Sequence, residues 1–260
     1  MRFGAGRVRG LTAGAVVVVA VGSVIAFGWW GPAAAETSPL ERACPDPVPQ
    51  TGFDDVASGA THAASIECLA AWELTEGVGG GMFDPHSAVP REQMATFLVK
   101  LLEAAGADLP TVTVPRFDDV GGVHADNVEV LAELEIVHGR AAGEFAPAEP
   151  VSCAGTATML AGVLDELGVD LPDEPPPFED AETSVHASAI GALAALEIVS
   201  GTTPDQFAPW QPVTREQMAS LLMHAAGLLV EEDIASPPYL DEEEVEDPVF
   251  VTTWDTTHHR

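Results

Sequence analysis

Apolar residues between positions 53 and 229 recur with the spacing of amphipathic helices, and polar, glycine-rich loops separate them. In the first run, the residues at i, i+3, i+4 and i+8 are Ile66, Leu69, Ala70 and Leu74. This spacing places them on one face of a helix, and Gly77 is expected to end that helix in a left-handed conformation. A second helix is predicted from about Pro90, with the apolar stripe Met94, Phe97, Leu98 and Leu101. The pattern therefore predicts a helix–loop–helix unit.

The same unit occurs three times, and equivalent residues stand 62 positions apart. The register is kept by three in-phase residue sets: His62, His124 and His186; Gly77, Gly139 and Gly201; and Phe83, Phe145 and Phe207. Helices of about 12 residues are marginal in isolation, so each must bury its stripe against neighbouring repeats. Because no capping repeat is evident, we expect the three units to close on one another instead of forming an open solenoid.

The residues before and after the repeats have a different character. Three arginines near the start precede an apolar run from residue 11 to residue 30, and Ala33-Ala34-Ala35 follows it. This order predicts an export signal cleaved after Ala35. An uncleaved membrane anchor is the alternative, because an apolar run of about 20 residues can span a bilayer. From residue 231, acidic and proline residues predict an extended linker, and the β-prone residues 250–257 are either the start of a further module or a tail.

Charge narrows the classes of function that the chain can perform. It carries 41 acidic and 10 basic residues, a formal charge of −31, and Lys100 is its one lysine. Phosphate binding rests on clustered lysine and arginine, so nucleic acid and anionic lipid are both unsuitable partners. A hydrophobic fraction of 47% is still sufficient for a packed core.

The order of motifs in each unit resembles the S-layer homology repeat. Phe-x-Asp-Val opens the unit, a histidine precedes an Ile/Leu-rich helix, Phe-x-Pro follows, and Val-Thr-Arg-Glu-Gln-Met-Ala opens the second helix at residues 213–219. The resemblance extends from Phe53 to about Leu229. It implies an all-α fold of three helix–loop–helix repeats in a pseudo-threefold bundle, with an N-terminal signal and an acidic C-terminal tail. The expected organisation is a signal (1–35), a linker (36–52), three repeats (53–111, 112–172 and 173–230) and an acidic linker (231–260).

Two arginines are the candidate binding residues. In the family that the repeats resemble, an arginine at the start of the second helix contacts an anionic secondary wall polymer, and this position corresponds to Arg91 and Arg215. A helix N-terminus has free N–H groups, and an adjacent guanidinium can hold a carboxylate in bidentate fashion. Pairing with nearby surface acids is the alternative. The middle repeat is degenerate, with Cys153 in place of the arginine and Gly155 in place of the glutamine, so at most two competent sites are expected.

Other polar residues are interpreted as structural. Thr214 and Gln217 predict a capping box at the start of the last long helix. The in-phase histidines are expected to bond the aspartates of the opening motif, with a metal site as the alternative. Asp54-Asp55 and Asp118-Asp119 are expected to cap helices; the alternating acids and distal glutamate of a calcium-binding EF-hand loop are absent.

These observations predict a binding protein and not an enzyme. The chain has no Gly-x-Ser-x-Gly, His-Glu-x-x-His or phosphate-binding loop, and we expect no cofactor or metal. Cys44 and Cys68 can pair in an oxidising compartment, which would leave Cys153 free, but the sequence alone leaves the pairing open.

The expected function is non-covalent anchoring of an exported surface protein in the wall of a Gram-positive-type bacterium. The expected partner is an anionic cell-wall polysaccharide, with no membrane contact once the signal is cleaved. The alternative is a structural module that docks another envelope protein. Cys153 at an arginine position and an acidic surface that repels an anionic polymer favour this alternative.

Overall fold

The computed structural model describes residues 37–48, 50 and 52–240. Within them the secondary structure consists of α-helices, one 3-10 turn (Gly122–His124) and isolated β-bridges, so the expected all-α class is confirmed. The helices are α1 (Pro39–Ala43), α2 (Ala63–Ala71), α3 (Arg91–Ala104), α4 (Ala125–Glu133), α5 (Cys153–Glu166), α6 (Ala187–Ala195) and α7 (Arg215–Glu231). No helix in these ranges is both long and apolar enough to cross a membrane. The predicted signal (1–35) and residues 241–260 of the predicted tail lie outside the described residues.

Each repeat contributes a short helix and a long helix, and the short helix packs on the long helix of another repeat. Helix α4 packs on α3, α6 packs on α5, and α2 packs on α7. The first repeat therefore contacts the third, although these two are the most distant in sequence. The expectation that the three repeats close on one another is confirmed.

Backbone hydrogen bonds between the repeats form a closed cycle. The N–H of Val89 donates to the carbonyl of Val213 (3.0 Å), that of Val213 donates to Val151 (3.0 Å), and that of Val151 donates to Val89 (2.9 Å). The three valines are buried, and each lies two residues before a long helix. Because an equivalent bond joins every pair of repeats, the arrangement has pseudo-threefold symmetry.

The long helices and the paired phenylalanines supply the core. Met94, Leu98 and Leu101 of α3 are fully buried, as the apolar stripe predicts. In each repeat the phenylalanine of the opening motif packs on the phenylalanine of Phe-x-Pro, with ring centroids 5.4, 5.2 and 5.4 Å apart. The loop between the two helices is therefore attached to the core in all three repeats.

The predicted role of Gly77 as a helix terminator is wrong. Helix α2 ends at Ala71, and the left-handed residue after it is Glu73, with a φ of 58°. Gly77 is required instead by close packing, because a Cβ there would lie 2.7 Å from the ring of Phe53. The glycine lets the loop lie directly against that ring.

The predicted helix-capping role of the opening aspartates is also wrong. Asp55 accepts hydrogen bonds from the N–H groups of Phe83 (2.8 Å) and Asp84 (2.7 Å). Asp119 and Asp180 make the same pair of bonds in their own repeats. The Phe145 N–H is the main reason why the pKa of Asp119 lies below its ordinary value. Each aspartate therefore holds the turn of Phe-x-Pro, not the end of a helix.

A short helix that the sequence analysis missed, α1, lies within the expected linker 36–52. It begins with a capping box in which Ser38 and Glu41 accept from each other's backbone N–H groups. The helix packs on α7, where Arg42 donates to the Gly227 carbonyl (3.3 Å) and forms an ion pair with Glu231 (2.9 Å). It therefore lies beside the pair of helices through which the third repeat contacts the first.

A disulfide fixes this end of the chain to the first repeat. Cys44, at the end of α1, is bonded to Cys68 of α2, and Cys153 is a free thiol. The indole N–H of Trp72 also donates to the carbonyl of Ala43 (2.9 Å). We call α1 together with this disulfide the clasp. It connects α2 to α7, whereas the other two helix pairs, α3–α4 and α5–α6, are connected directly by the chain.

The described part of the acidic linker packs on the domain. Pro237 is buried, and the Tyr239 hydroxyl donates to the Pro45 carbonyl (3.5 Å). Residues 232–240 therefore do not behave as the extended linker that their composition predicts.

Candidate functional site

Arg91 and Arg215, the two candidate residues, lie where neighbouring repeats meet. We call each contact between a long helix and the short helix of another repeat a joint. Each arginine is the first residue of a long helix, and the two expose only 7% and 4% of their surface. The ion pairs formed among the described residues join other side chains, so the alternative of pairing with surface acids is not observed there. Burial lowers the pKa of both guanidinium groups from the ordinary value, although arginine stays cationic in proteins.

Each guanidinium is fixed against a phenylalanine of the next repeat. Arg215 donates from Nε to the Phe83 carbonyl (2.7 Å), and its Cζ lies 4.7 Å from the centroid of that ring. Arg91 donates from Nε to the Phe145 carbonyl (3.0 Å), with 4.3 Å between its Cζ and the ring centroid. Stacking and a carbonyl bond together fix the plane of a guanidinium. Both arginines are therefore held in one orientation.

Arg215 keeps a hydrogen-bond donor that is unused. Its Nη1 lies 3.4 Å from Oε1 of Gln93, whereas Nη2 is buried and has no partner among the described residues. In Arg91 the Nη2 group donates to the His138 carbonyl (2.9 Å). Leaving a buried donor unpaired typically costs about 1–3 kcal/mol, and more for a charged group. Nη2 of Arg215 is therefore a buried cationic donor whose hydrogen-bonding capacity is unused among the described residues.

Arg215 lines a cavity of about 670 Å³, which we call the Arg215 groove. Its other lining residues come from α3, from the loop before it and from the start of α4: Gln93, Thr96, Phe97, Lys100, residues 74–78, Val123 and His124. Val78 and Val123 are exposed at the edges. The groove thus combines two cationic side chains, Arg215 and Lys100, with the carboxylate of Glu76, the amide of Gln93 and two exposed aliphatic side chains.

A second cavity, of about 410 Å³, contains the equivalent positions at the joint between α7 and α2, and we call it the Cys153 groove. Cys153 stands where the first groove has Arg215, and threonines stand where it has Val78 and Val123. The residues shared in kind are Gly201, Gln217, Ser220 and His62. Burial raises the pKa of the Cys153 thiol, so the thiol is neutral. Among the described lining residues there is no lysine, arginine or carboxylate.

The third joint contains Arg91, and we call the corresponding surface the Arg91 groove. Its equivalent positions are residues 136–140, Gly155, Thr158, Gly162, Val185 and His186. Gly155 and Gly162 replace Gln93 and Lys100, so two of the longer polar side chains are absent from its floor. Burial is the main cause of the lowered pKa of Arg91, and the nearby charge of Arg140 lowers it further. Arg140, which the sequence analysis did not select, therefore lies beside Arg91.

The three in-phase histidines were expected to bond the aspartates of their own repeats, and this prediction is wrong. Each lies with Nδ1 2.7 Å from a hydroxyl of the long helix on which its own helix packs: His62 with Ser220, His124 with Thr96 and His186 with Thr158. The histidines thus link neighbouring repeats at three separate joints. The described residues contain no group of three or more His, Cys, Asp or Glu suited to a metal ion.

Gln93 lines the Arg215 groove, and the sequence analysis missed it. Its side chain is available to the groove because of the residue three positions earlier, Pro90. In the third repeat the predicted capping box is confirmed, because Gln217 Oε1 accepts from the Thr214 N–H (3.0 Å) and Thr214 Oγ1 accepts from the Gln217 N–H (3.4 Å). In the first repeat the equivalent of Thr214 is Pro90, which has neither the hydroxyl nor the N–H. The Gln93 amide is therefore free to approach Arg215.

Comparison with known proteins places these features in a family. The S-layer homology domain matches residues 52–95, 116–152 and 177–219, one match in each repeat. The chain is 32% identical over 135 residues to the S-layer protein sap of Bacillus anthracis, covering 52% of this chain and 16% of that protein. It is 28% identical over 176 residues to an endoglucanase of Bacillus sp. (strain KSM-635), covering 65% of this chain and 18% of the enzyme. The chain thus spans less than a fifth of the length of each of these relatives.

Proposed function

This chain carries three tandem S-layer homology domains, and we propose that it anchors a protein non-covalently to a bacterial cell wall by binding an anionic wall polysaccharide. The observation that carries the proposal is the buried guanidinium of Arg215, whose Nη2 group has no partner among the described residues. The Arg215 groove is the principal site in this proposal, and the Arg91 groove is the second site.

The chemistry of the Arg215 groove suits a carboxylate attached to a sugar. A carboxylate oxygen bonds a guanidinium N–H more strongly than a neutral acceptor does, because both partners are charged. Gln93 supplies an amide group of the kind that binds sugar hydroxyls. Val78 and Val123 offer apolar contact for the carbon-bound hydrogens of a ring. A polysaccharide with acidic substituents satisfies all three.

The overall charge of the chain makes these two arginines stand out. With 41 acidic and 10 basic residues, most of the surface repels an anionic polymer. A site for such a polymer therefore needs a local cation that solvent and neighbouring acids do not neutralise. Arg91 and Arg215 are the candidates for this cation, because both are buried and neither forms an ion pair among the described residues. Carboxylates such as Glu149 near Arg91 and Asp84 near Arg215 act on them only at longer range.

The proposal is for an anchoring role without catalysis. The match to the endoglucanase covers only 18% of that enzyme, and the S-layer homology domain matches residues 52–95, 116–152 and 177–219, which supports an anchoring role for this part of the chain. The S-layer proteins among the relatives support a location at the bacterial cell surface. Export to the wall of a Gram-positive-type cell is part of the proposal.

One observation favours a second function, the docking of another envelope protein. The Cys153 groove occupies the equivalent position to the other grooves but has no lysine or arginine among its described lining residues. A neutral groove on an acidic surface suits a protein segment better than an anionic polymer. Binding that survives chemical removal of the wall polysaccharide from sacculi would favour this second function.

Co-sedimentation with purified sacculi of the source bacterium tests the proposal. The Arg91→Ala/Arg215→Ala double variant should lose most of its binding, and sacculi stripped of polysaccharide by hydrofluoric acid should bind the unaltered chain equally poorly. Because both arginines also bond backbone carbonyls of the next repeat, a thermal melt must show that the variant is folded. Unchanged binding by a folded double variant would refute the assignment of these sites.

A further inference from the structure

The Arg91 groove has an aromatic side chain at its edge that the other two grooves lack. Trp210 is 66% exposed, and the equivalent residues in the other repeats are His86 and Ala148. We propose that Trp210 stacks on a sugar ring of the polysaccharide whose acidic group binds Arg91. This inference rests on the proposed function and adds to it a residue that determines which sugars the Arg91 groove accepts.

The backbone on both sides of Trp210 is fixed to the start of α5, which is the floor of this groove. The N–H of Cys153 donates to the Gln211 carbonyl (2.8 Å), and the N–H of Ala154 donates to the Pro209 carbonyl (3.0 Å). The indole lies edge-on to the imidazole of His186, with 6.1 Å between the ring centroids. His186 is in turn hydrogen-bonded to Thr158 of α5. The ring is thus placed beside the groove on a supported segment.

The floor next to Trp210 leaves space for a ring. Gly155 and Gly162 stand where the Arg215 groove has Gln93 and Lys100, so no long side chain extends from α5 at these two positions. Val185, next to His186, is 90% exposed on the same side. By the register of the repeats, Trp210 and Val185 therefore border the joint that contains Arg91, with His186 in contact with the indole.

The distribution of exposed apolar side chains identifies a sugar as the occupant. Val78 and Val123 border the Arg215 groove, and Val185 and Trp210 border the Arg91 groove. The equivalent places around the Cys153 groove hold polar residues: Thr61, Thr202 and His86. Exposed apolar surface therefore occurs beside the arginines and not beside the cysteine. A pyranose ring with an acidic substituent has an apolar face and an anionic group side by side, which matches this pairing of an indole with a guanidinium.

Tryptophan fluorescence provides a direct test. The probe is the polysaccharide released by hydrofluoric acid from sacculi of the source bacterium. The chain has five tryptophans, so the signal of Trp210 is read as the difference between titrations of the unaltered chain and of Trp210→Phe. A shift or quenching of emission should appear in the unaltered chain and disappear in Trp210→Phe. In an Arg215→Ala background, which isolates the Arg91 groove, Trp210→Ala should weaken binding about tenfold. Trp210→Phe should retain most of the affinity, because it keeps an aromatic face.

The matched control is His86→Ala, which alters the equivalent exposed position beside the Cys153 groove and should leave binding unchanged. Suppose that, in the Arg215→Ala background, Arg91→Ala abolishes the remaining binding while Trp210→Ala binds as tightly as its parent with an unchanged spectrum. The stacking role is then wrong and the proposed function stands. If Arg91→Ala and Arg215→Ala both leave binding intact, the proposed function itself is wrong. Should Arg215→Ala fail to fold, the fluorescence titration of the unaltered chain against Trp210→Phe still decides the stacking role.

Discussion

The Arg215 groove and the Cys153 groove are built on the same scaffold and differ in chemistry. Both have a histidine bonded to a hydroxyl of the neighbouring long helix, His124 with Thr96 and His62 with Ser220. At both, the N–H of the key residue donates to the next repeat, Arg215 to Ser87 (3.0 Å) and Cys153 to Gln211 (2.8 Å). The joint therefore forms without an arginine. Closure at this joint thus does not require a guanidinium, and ligand binding is the role that we propose for the arginines at the other two joints.

The two grooves also differ in how their helices are connected. The Arg215 groove lies between α3 and α4, which follow each other in the chain, whereas the Cys153 groove lies between α7 and α2, which do not. At the second joint the clasp takes the place of a chain connection through α1 and the Cys44–Cys68 disulfide. We therefore expect stability at the joint between α7 and α2 to depend on the Cys44–Cys68 disulfide. We expect binding at the joint between α3 and α4 to depend on the charge of Arg215.

Removal of the disulfide should have the largest effect. The two cysteines are 24 residues apart, and a bridge over a loop of that length stabilises a protein by roughly 3 kcal/mol through the unfolded state. Cys44→Ser/Cys68→Ser should lower the free energy of unfolding by about that amount, measured by urea titration. Hydrogen exchange should rise first in α2, at the joint that the clasp closes. Cys153→Ser is the control, and equal stability of the two variants would contradict the role of the clasp.

Restoring the arginine should convert the neutral groove into a binding groove. Cys153→Arg places a guanidinium where Arg91 and Arg215 stand, next to Phe207. A charge-assisted contact contributes about 1.5–3 kcal/mol, so the affinity for sacculi should rise roughly tenfold. Cys153→Ala is the matched control and should bind like the unaltered chain. A folded Cys153→Arg protein with unchanged affinity would show that the arginine position alone does not make a groove competent.

Exchange of Pro90 for threonine should separate stability from binding in the Arg215 groove. The introduced threonine would provide the hydroxyl and N–H that Thr214 uses with Gln217, and a formed cap stabilises a helix by about 1 kcal/mol. Pro90→Thr should therefore raise the melting temperature slightly. It should also weaken sacculus binding severalfold, because Gln93 would turn from Arg215 to the cap. The double variant Pro90→Thr/Gln93→Ala should lose the added stability; if it keeps that stability, Gln93 is not the capping partner.

The smallest predicted effect is a dependence of stability on pH between neutrality and pH 5. Burial lowers the pKa of His186 and His224 below the ordinary value of about 6.5. The unfolded chain therefore binds protons first as the pH falls, so this contribution is present above about pH 6.5 and is lost below it. Urea titrations at pH 7.5 and pH 5.5 should show the loss, and His224→Gln should reduce it. A chain that becomes more stable on acidification over this range would contradict the sign.

Much of the fold was accessible from the sequence because the repeats are regular. The 62-residue register, the apolar stripes and the lack of an evident capping repeat together predict three closing helical units, and the described residues form three such units joined by backbone hydrogen bonds. The helix α1 was missed although Ser38-Pro39-Leu40-Glu41 has the sequence of a capping box. Composition dominated that interpretation, since the segment is short and rich in proline.

Of the residues that line the proposed grooves, the sequence analysis selected only the arginines. Each groove is assembled from three separated segments, as with Arg215, Gln93 and His124, so its floor and walls follow from the closed arrangement and not from any local motif. The acidic pairs and histidines were assigned to wrong partners for the same reason. Asp55 bonds a turn 28 residues away, and His62 bonds a helix of another repeat. Pro90 was the one local signal, because a proline at the N-cap cannot form a capping box and so leaves the Gln93 side chain available to the groove.

The most direct measurement compares sacculus-binding isotherms of two matched single variants, Arg215→Ala and Cys153→Ala. Both truncate the first residue of a long helix at equivalent positions, and thermal melts establish that both are folded. The account predicts that Arg215→Ala weakens binding at least tenfold, whereas Cys153→Ala binds as the unaltered chain does. Equal affinity of the two folded variants would contradict the assignment of the Arg215 groove as the principal polysaccharide site.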